Sequence, residues 1–406
     1  MSGRSGASGT NRSYQARWDR ISEGEQPLTT RRRAHRFTAE SESMSRIAVS
    51  GANGFLGWHT RCAIEGLGHS SAAFRVGDGF SPTAAASAID GASRLVHLAG
   101  VNRGSDAEVH DENERFARQV AEALRLAEEP PPVVVFANSI QAELGNVYGE
   151  AKRRSAGIIA AACEAVGVEF VDVRLPNLFG EHGRPFYNSF VATFSDLLAR
   201  GGTPVVEGDR EVPLLHAQAA AAALLGTGSI DDHLVPMRVS SVLADLSRFA
   251  RDYAHGTIPA LESSFQRDLF NTYRSFDFGI RQMIPLTRHA DARGSFFEIT
   301  RSVGGAGQSS FSTTRPGVTR GDHYHARKIE RFTVVRGTAV IRLQRLFSDD
   351  IVQLHVSGDE PVAVDMPTFW SHNITNTGAD DLYTNFWINE IYVPEDPDTY
   401  PKAIPV

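Results

Sequence analysis

The sequence predicts a doubly wound, parallel α/β half followed by an all-β half. Three observations predict it. Short apolar strands alternate with helices as far as about residue 275. Helical periodicity then stops and strand-like runs take over. The length, 406 residues, exceeds one ordinary domain. The hydrophobic fraction of 41% can build real cores, so wholesale disorder is excluded. Against 41 Lys+Arg stand 48 Asp+Glu, a net charge of −7, which makes a poor general nucleic-acid binder. Two cysteines, Cys62 and Cys163, supply neither a disulfide framework nor a Cys-rich zinc site. They are expected as small buried helix residues in a reducing cytoplasm. No run of eighteen apolar residues occurs, so no membrane span is predicted.

Residues 1–43 are rich in Ser, Gly and Arg and lack a helical or strand period. They read as a disordered extension. Asp19, Glu23, Glu25, Glu40 and Glu42 argue against a transit peptide. Met44, just before the first strand, is a candidate start. An anion-binding arm around Arg31, Arg32 and Arg33 is the functional alternative.

The α/β half opens on the apolar strand Arg46–Ser50, the glycine turn Gly51-Ala-Asn-Gly54-Phe-Leu-Gly57 and a helix running on through Leu67. Gly51 permits the tight turn. Gly54 lets the backbone approach a pyrophosphate, and Gly57 lets the helix pack close to the sheet. The helix N-terminus offers free N–H groups and the positive end of its dipole. A second strand, Ser71–Arg75, ends in an arginine, which suits the extra phosphate of NADP, although Asp78 lies close. Leu95–Ala99 is a buried strand and about Ala107–Leu126 a helix. Val133–Ala137 is another strand, Ala151–Val166 is helical and Glu169–Arg174 is strand. This order implies a parallel, doubly wound sheet.

Chemistry gathers beyond the Val133 strand. Ser139 lies in the loop, and Tyr148 and Lys152, four apart, share one face of the next helix. An ammonium near a phenol favours the phenolate, so Lys152 is expected to pull the Tyr148 pKa down and make it a usable proton donor and acceptor. Taken with Gly51–Gly57, His97-Leu-Ala-Gly100 and Arg174-Leu-Pro-Asn-Leu-Phe-Gly180, these residues resemble the extended short-chain dehydrogenase/reductase family over about residues 44–275. The resemblance implies a Rossmann domain with a nicotinamide cofactor held by Gly51, Asn53, Gly54, Phe55, Leu56, Gly57, Leu98, Ala99 and Gly100. Arg75 favours NADP(H) over NAD(H). Tyr148 would protonate the alkoxide, Lys152 would bind the nicotinamide ribose, and Ser139 would orient a ketone. Only eight residues separate Ser139 from Tyr148, fewer than is usual in that family.

After about Phe276 the texture is strand-like: Gly294–Arg301, Gln308–Thr314, Glu330–Arg336, Thr338–Leu346 and Leu382–Ile388. This reads as an all-β barrel or jelly roll. Two residues apart, His323 and His325 share one face of a strand. Glu330 and His372 complete a 3-His/1-carboxylate set that suits Zn, Fe, Mn or Ni, with zinc favoured. The full pattern resembles the two motifs of the cupin family, with Phe369 where glycine is usual; the ring is expected to narrow the barrel mouth or fill part of the pocket. Asp291–Glu298 and Arg320–His325 are similar to the sugar-nucleotide 3,5-epimerase branch, where a histidine at the position of His323 acts as base. If His323 binds metal, Tyr324, Lys328 or another group would have to serve.

The two halves together resemble a family of fused epimerase–reductases of capsular polysaccharide biosynthesis over about residues 44–406. This implies an NAD(P)-binding domain over 44–278 and a cupin domain over 279–406. The implied substrate is a UDP-linked 4-keto-6-deoxy amino sugar, epimerised at C3 and reduced at C4 in the cytoplasm by a homodimer or higher homo-oligomer. Arg103, Asn177, Arg184 and Asn188 are candidate substrate contacts, the arginines for the diphosphate. The alternatives are a dTDP-4-keto sugar, a non-catalytic dinucleotide sensor and a cupin with a purely structural role.

Overall fold

A computed structural model describes residues 44–405; the extension expected over residues 1–43 lies outside the described residues. Five parallel strands form the first sheet: β1 (Arg46–Ser50), β2 (Ser70–Phe74), β3 (Arg94–His97), β4 (Val133–Ser139) and β5 (Glu169–Leu175). They lie in the order β2-β1-β3-β4-β5. Between them run helices α1 (Phe55–Gly66), α2 (Pro82–Ile89), α3 (Asp106–Leu126) and α4 (Val147–Val166). Alternate strand residues feed two cores. Ala48, Leu95, Val134 and Phe136 pack with Ile89, Val120 and Ile159 of α2, α3 and α4. Ile47, Val49, Val96 and Val135 pack with Ile64 of α1 and Leu224 of the helix Ala217–Leu225. Strands covered on both faces must be apolar throughout, which is why they read as continuous apolar runs.

Caps set the helix ends. The Ser105 hydroxyl accepts from the Glu108 N–H while the Glu108 carboxylate accepts from the Ser105 N–H, a capping box opening α3. Asn146 accepts from the Gly149 N–H at the start of α4, and Gly167, at φ 72°, ends it. Both cysteines are buried on helices, Cys62 in α1 and Cys163 in α4.

The C-terminal half is antiparallel. One five-stranded sheet runs, in spatial order, Ile284–Pro285, Val362–Met366, Glu330–Arg336, Leu382–Ile388 and Gln308–Thr314. The other runs Ile351–Ser357, Thr338–Arg345, Trp370–Asn376, Thr319–Tyr324 and Tyr400–Pro401. Phe332, Val334, Val364 and Leu382 of the first meet Ile341, Leu343, Leu354 and Ile374 of the second in one apolar core. The expected strand Gly294–Arg301 is instead a short hairpin, His289–Asp291 with Gly294–Phe296, and a separate two-residue strand Arg301–Ser302. The strand expected to carry both His323 and His325 is Thr319–Tyr324 and ends before His325, while those over 351–357, 362–366 and 370–376 go beyond the sequence expectation. Val362–Met366 shows why: its Asp365 reads as a solvent-facing break but is buried.

The two halves share a core. Leu246, Phe249, Tyr253, Leu269 and Phe270 of the helices Val239–Tyr253 and Ser264–Asp277 pack with Ile284, Ile329, Ala363 and Trp387. Inside this contact Arg331 and Asp365, cross-strand neighbours, form a buried two-point ion pair at 2.6 and 2.7 Å. The Tyr253 hydroxyl donates to the same carboxylate at 2.7 Å, and Arg331 donates to the Gly256 carbonyl at 2.8 Å. No helix among the described residues is long and apolar enough to cross a membrane.

Candidate functional site

The first centre lies at the C-terminal ends of β1, β3 and β4. Gly51 has φ 73°, and a Cβ there would stand 2.6 Å from the Ala99 nitrogen. Only glycine lets the turn touch the Leu98–Gly100 segment. A Cβ on Gly57 would lie 2.1 Å from the Gly51 carbonyl oxygen and 2.8 Å from Ala52 Cα. The third glycine therefore packs α1 against the turn itself rather than against the sheet. Gly54 is the N-cap of α1 and makes no side-chain cap, and the first turn carries no acid. Asn53 and Gly54 are exposed. The first N–H groups of α1, those of Phe55 and Leu56, are thus left for an anionic ligand. Arg75 is exposed just beyond β2, with its side chain against Gly79. Asp78 is engaged: its carboxylate accepts from Arg115 at 2.8 Å.

Ser139 is the last residue of β4 rather than a loop residue, and its hydroxyl accepts from the Gln141 N–H at 3.2 Å. The short interval to Tyr148 is filled by a single 3-10 turn, Ile140–Glu143. A Cβ on Gly149 would lie 2.0 Å from the Gln141 carbonyl oxygen, so glycine lets that turn pack on α4. Lys152 is buried. Its ammonium donates to the Ala137 carbonyl at 2.6 Å and sits 4.3 Å from the centroid of Phe136. A Cβ on Gly100 would stand 3.6 Å from Lys152 Nζ, so the two chain segments meet at the amine. Burial lowers the Lys152 amine to about 8, against the opposing pull of Asp172. The expected depression of Tyr148 does not occur. Burial, reinforced by Tyr187, pushes its phenol up to about 12. The Lys152 ammonium is turned to the strand carbonyl rather than to the phenol.

Three of the four candidate substrate contacts come together around Tyr187, which sequence reasoning does not reach. Arg103 Nε donates to Asn188 Oδ1 at 2.6 Å. The Arg103 and Arg184 guanidinium carbons lie 5.2 and 4.9 Å from the Tyr187 ring centroid. In the sequence Tyr187 is one residue of the stretch Arg184–Phe194, with nothing to single it out. Asn177 points to a different partner: its amide donates to the Pro213 carbonyl at 3.3 Å.

The second centre lies in the C-terminal half. His323, His325, Glu330 and His372 offer ligand atoms that all lie within 4.8 Å of one another. A bulge at Gly321 and Asp322 re-aims His323 on its strand. His325 Nε2 and His372 Nε2 lie 2.9 and 3.0 Å from Glu330 Oε2, and His323 Nε2 lies 3.9 Å away. His325 Nδ1 lies 2.6 Å from the Asp398 carbonyl oxygen, and His372 Nδ1 lies 3.0 Å from that of Trp370. A carbonyl oxygen only accepts, so both Nδ1 atoms carry the hydrogen. In the neutral rings both Nε2 atoms are then bare lone pairs aimed at a carboxylate oxygen. Such a set is repulsive unless a cation lies among its members, and its donor types fit a borderline divalent metal. Burial favours the neutral ring of His372, lowering it to about 4. Burial would raise the Glu330 carboxyl; positive charge at the imidazoles, led by His325, draws it well below the usual range, so an ionised Glu330 goes with a cation at this cluster.

Asp398, seventy-three positions from His325, gives no sign of its role in the sequence. Its carboxylate accepts from the Ala326, Arg327 and Lys328 N–H groups and so shapes the loop between two of the four clustered residues. Lys328 and Tyr324, the alternative bases, are placed elsewhere. Lys328 Nζ donates to the Pro397 carbonyl and to Thr399. Tyr324 points away from the imidazoles into a small core with Cys62, Leu346 and Phe369. Phe369 turns its ring into that small core. Its ring packs edge-on against Trp58 and His59 of α1, at 5.6 and 6.0 Å.

Residues 47–226 match the NAD dependent epimerase/dehydratase family, and residues 289–400 match the polysaccharide biosynthesis C-terminal domain. A UDP-2-acetamido-2,6-beta-L-arabino-hexul-4-ose reductase of Pseudomonas aeruginosa is 31% identical over 379 residues, 88% of this chain and 99% of the relative. The crystal structure of the capsular polysaccharide assembling protein CapF from Staphylococcus aureus is 31% identical, with a TM-score of 0.54, over 88% of this chain and 100% of that one. The chain belongs to the CapF-type family of capsular polysaccharide biosynthesis enzymes. The spore coat polysaccharide biosynthesis protein SpsL of Bacillus subtilis is 28% identical over 129 residues, 30% of this chain and 84% of that protein. Both centres lie within the stretches that the two family models cover.

Proposed function

We propose that the protein is a bifunctional sugar-nucleotide enzyme of surface polysaccharide synthesis. Its C-terminal half, a cupin barrel over 279–406, inverts C3 of a UDP-2-acetamido-2,6-dideoxy-4-keto-hexose. Its N-terminal half, a reductase domain over 44–278, then reduces the C4 ketone to give UDP-2-acetamido-2,6-dideoxy-L-talose. By the same resemblance it works as a cytoplasmic homodimer. One observation carries the reading: a chain matching nearly the whole of a keto-sugar nucleotide reductase brings together two centres of complementary chemistry. Epimerisation needs the ketone, and reduction removes it, so the second step traps the product of the first.

NADPH, when bound, supplies the hydride. The uncapped start of α1 and the crowded Gly51–Gly57 turn would receive its pyrophosphate, and Arg75 would take its extra phosphate. Ser139 orients the ketone. Tyr148, protonated at neutral pH as any phenol is and the more so because burial raises it to about 12, gives its proton to the new alkoxide, which is more basic still. Lys152, its ammonium anchored at the Ala137 carbonyl beside Gly100, binds the ribose. Arg103 and Arg184, stacked on Tyr187, hold the diphosphate, and Asn188 fixes Arg103. Asn177 contacts the sugar only if it leaves Pro213.

A divalent metal, zinc by preference, would be held by His325, Glu330 and His372 and would supply positive charge that favours ionisation beside the ketone. His323 is the loosest of the four and the most exposed imidazole among them, at 24%, and we assign it as the base at C3. The test is one incubation with NADPH and the 4-keto-hexose in D2O, read by NMR. NADPH loss with deuterium at C3 and a new C4 hydroxyl is the expected result. NADPH loss without deuterium would leave only the reductase, and no turnover would redirect the search to dTDP-4-keto sugars. In the same assay His323→Gln should keep its metal and lose C3 exchange, whereas His325→Gln should lose both.

A further inference from the structure

The two halves are also tied at a point next to the metal centre. Glu181 follows the strand Asn177–Phe179 of the N-terminal half and is buried, 1% exposed. Its carboxylate accepts from the Thr368 hydroxyl at 2.8 Å through one oxygen and from His216 Nε2 at 3.1 Å through the other. Its own carbonyl accepts from His59 Nε2 of α1 at 3.0 Å. Gln218 donates to the other nitrogen of His59 at 2.8 Å, which fixes that tautomer. Glu181 stays ionised although burial opposes it, because the His216 imidazole beside it holds the carboxyl at about 2.

Thr368 belongs to the loop that joins the strands Val362–Met366 and Trp370–Asn376. The next residue, Phe369, adopts φ 62°, a left-handed conformation that costs a bulky side chain. Its N–H donates to the His325 carbonyl at 2.7 Å, and three residues on the strand presents His372. The loop therefore grips one imidazole residue by its main chain and leads into another. What over-determines this strained loop comes from the other half: Trp58 and His59 against the Phe369 ring, and Glu181 on Thr368.

We propose that Thr368 and Glu181 are positioning residues for the metal centre, so that the reductase half holds the epimerase half's ligands in place. This rests on the metal reading above. Loss of a partner bonded directly to a metal ligand lowers affinity by about 10–100-fold; Thr368 and Glu181 act one step further out, through the loop, so the low end of that range is expected. The full-length protein is loaded with Zn(II) or Co(II) and titrated against a chromophoric chelator. Thr368→Val should weaken binding by about tenfold and alter the visible bands of the Co(II) form, and Thr368→Ser should restore both. NADPH affinity should stay unchanged in each. Glu181→Leu should give a similar loss, and the double variant should be little worse than either single one. Binding within about twofold of wild type in Thr368→Val would overturn the proposal, as would a Thr368→Ser protein that behaves like the valine variant. Should Glu181→Leu not fold, the Val/Ser pair decides alone. A wild-type protein that holds no metal would instead sink the metal reading, and this inference with it.

Discussion

A buried lysine is costly wherever it keeps its charge, and Lys152 is such a residue. Burial lowers its amine from 10.5 to about 8. Below about pH 8 folded and unfolded chains are both protonated there, and the full penalty is present. Between about 8 and 10.5 the unfolded chain binds more protons, so stability rises with pH; above 10.5 the penalty is gone. The shift corresponds to about 3 kcal/mol. Losing the donor to the Ala137 carbonyl returns about 1 kcal/mol of that in a Lys152→Met variant. We therefore expect Lys152→Met to be more stable than wild type at pH 7 by about 1–2 kcal/mol, and the gain to vanish as pH rises through 10.5. Ketone reduction should fall at least about a hundredfold. Denaturant melts at several pH values, set beside NADPH oxidation rates, check both expectations. A stability gain that persists at about pH 11 would show that charge is not its origin.

At the scale of one element, the loop around Phe369 sets two effects against each other. A left-handed conformation costs a non-glycine residue about 1–2 kcal/mol, which glycine would relieve. The ring, however, is buried against Trp58 and His59, and deleting a buried phenylalanine costs about 3–5 kcal/mol. Lost packing outweighs relieved strain, so Phe369→Gly should destabilise the protein by about 2 kcal/mol. A variant as stable as wild type, measured by thermal melting, would mean the ring contributes little packing. The α4 start behaves in the same way. Gly149 is needed because a Cβ would lie 2.0 Å from the Gln141 carbonyl oxygen, so Gly149→Ala should displace Tyr148 and reduce kcat more than it raises KM.

The whole molecule is held by a core that neither half can bury alone. Trp387, Ile329 and Ala363 of one half complete the core of the helices Val239–Tyr253 and Ser264–Asp277 in the other. Arg331 and Asp365 have no water to turn to, and breaking such a pair strands one charge at a cost of about 3–5 kcal/mol. Calorimetry should therefore show one cooperative transition for the two halves. Asp365→Asn should lower it markedly, while replacement of the exposed Asp291 should not. Two separable transitions in the wild type would contradict the shared core.

Local chemistry makes much of this legible. Continuous apolar runs announce β1, β3 and β4, because strands covered on both faces have no other option. Glycines at 51, 54 and 57 mark the turn, since backbone contact there excludes a side chain. His323, His325, Glu330 and His372 are visible because ligand types repeat at strand and loop spacing. Residues whose reason lies across the fold are not visible. Asp398, Glu181 and Tyr187 look like ordinary surface residues until a distant segment is brought to them. The Tyr148 phenol departs from expectation for the same cause: a helix places Lys152 on its face, but burial and the carbonyl of Ala137 decide where the ammonium points. Sequence by itself determined what is local, namely periodicity, turns, caps and the ligand inventory, because those depend on a few neighbouring residues. Tertiary structure alone decided burial, partner and direction of charge, because these depend on groups far apart in the chain that only a folded core holds together.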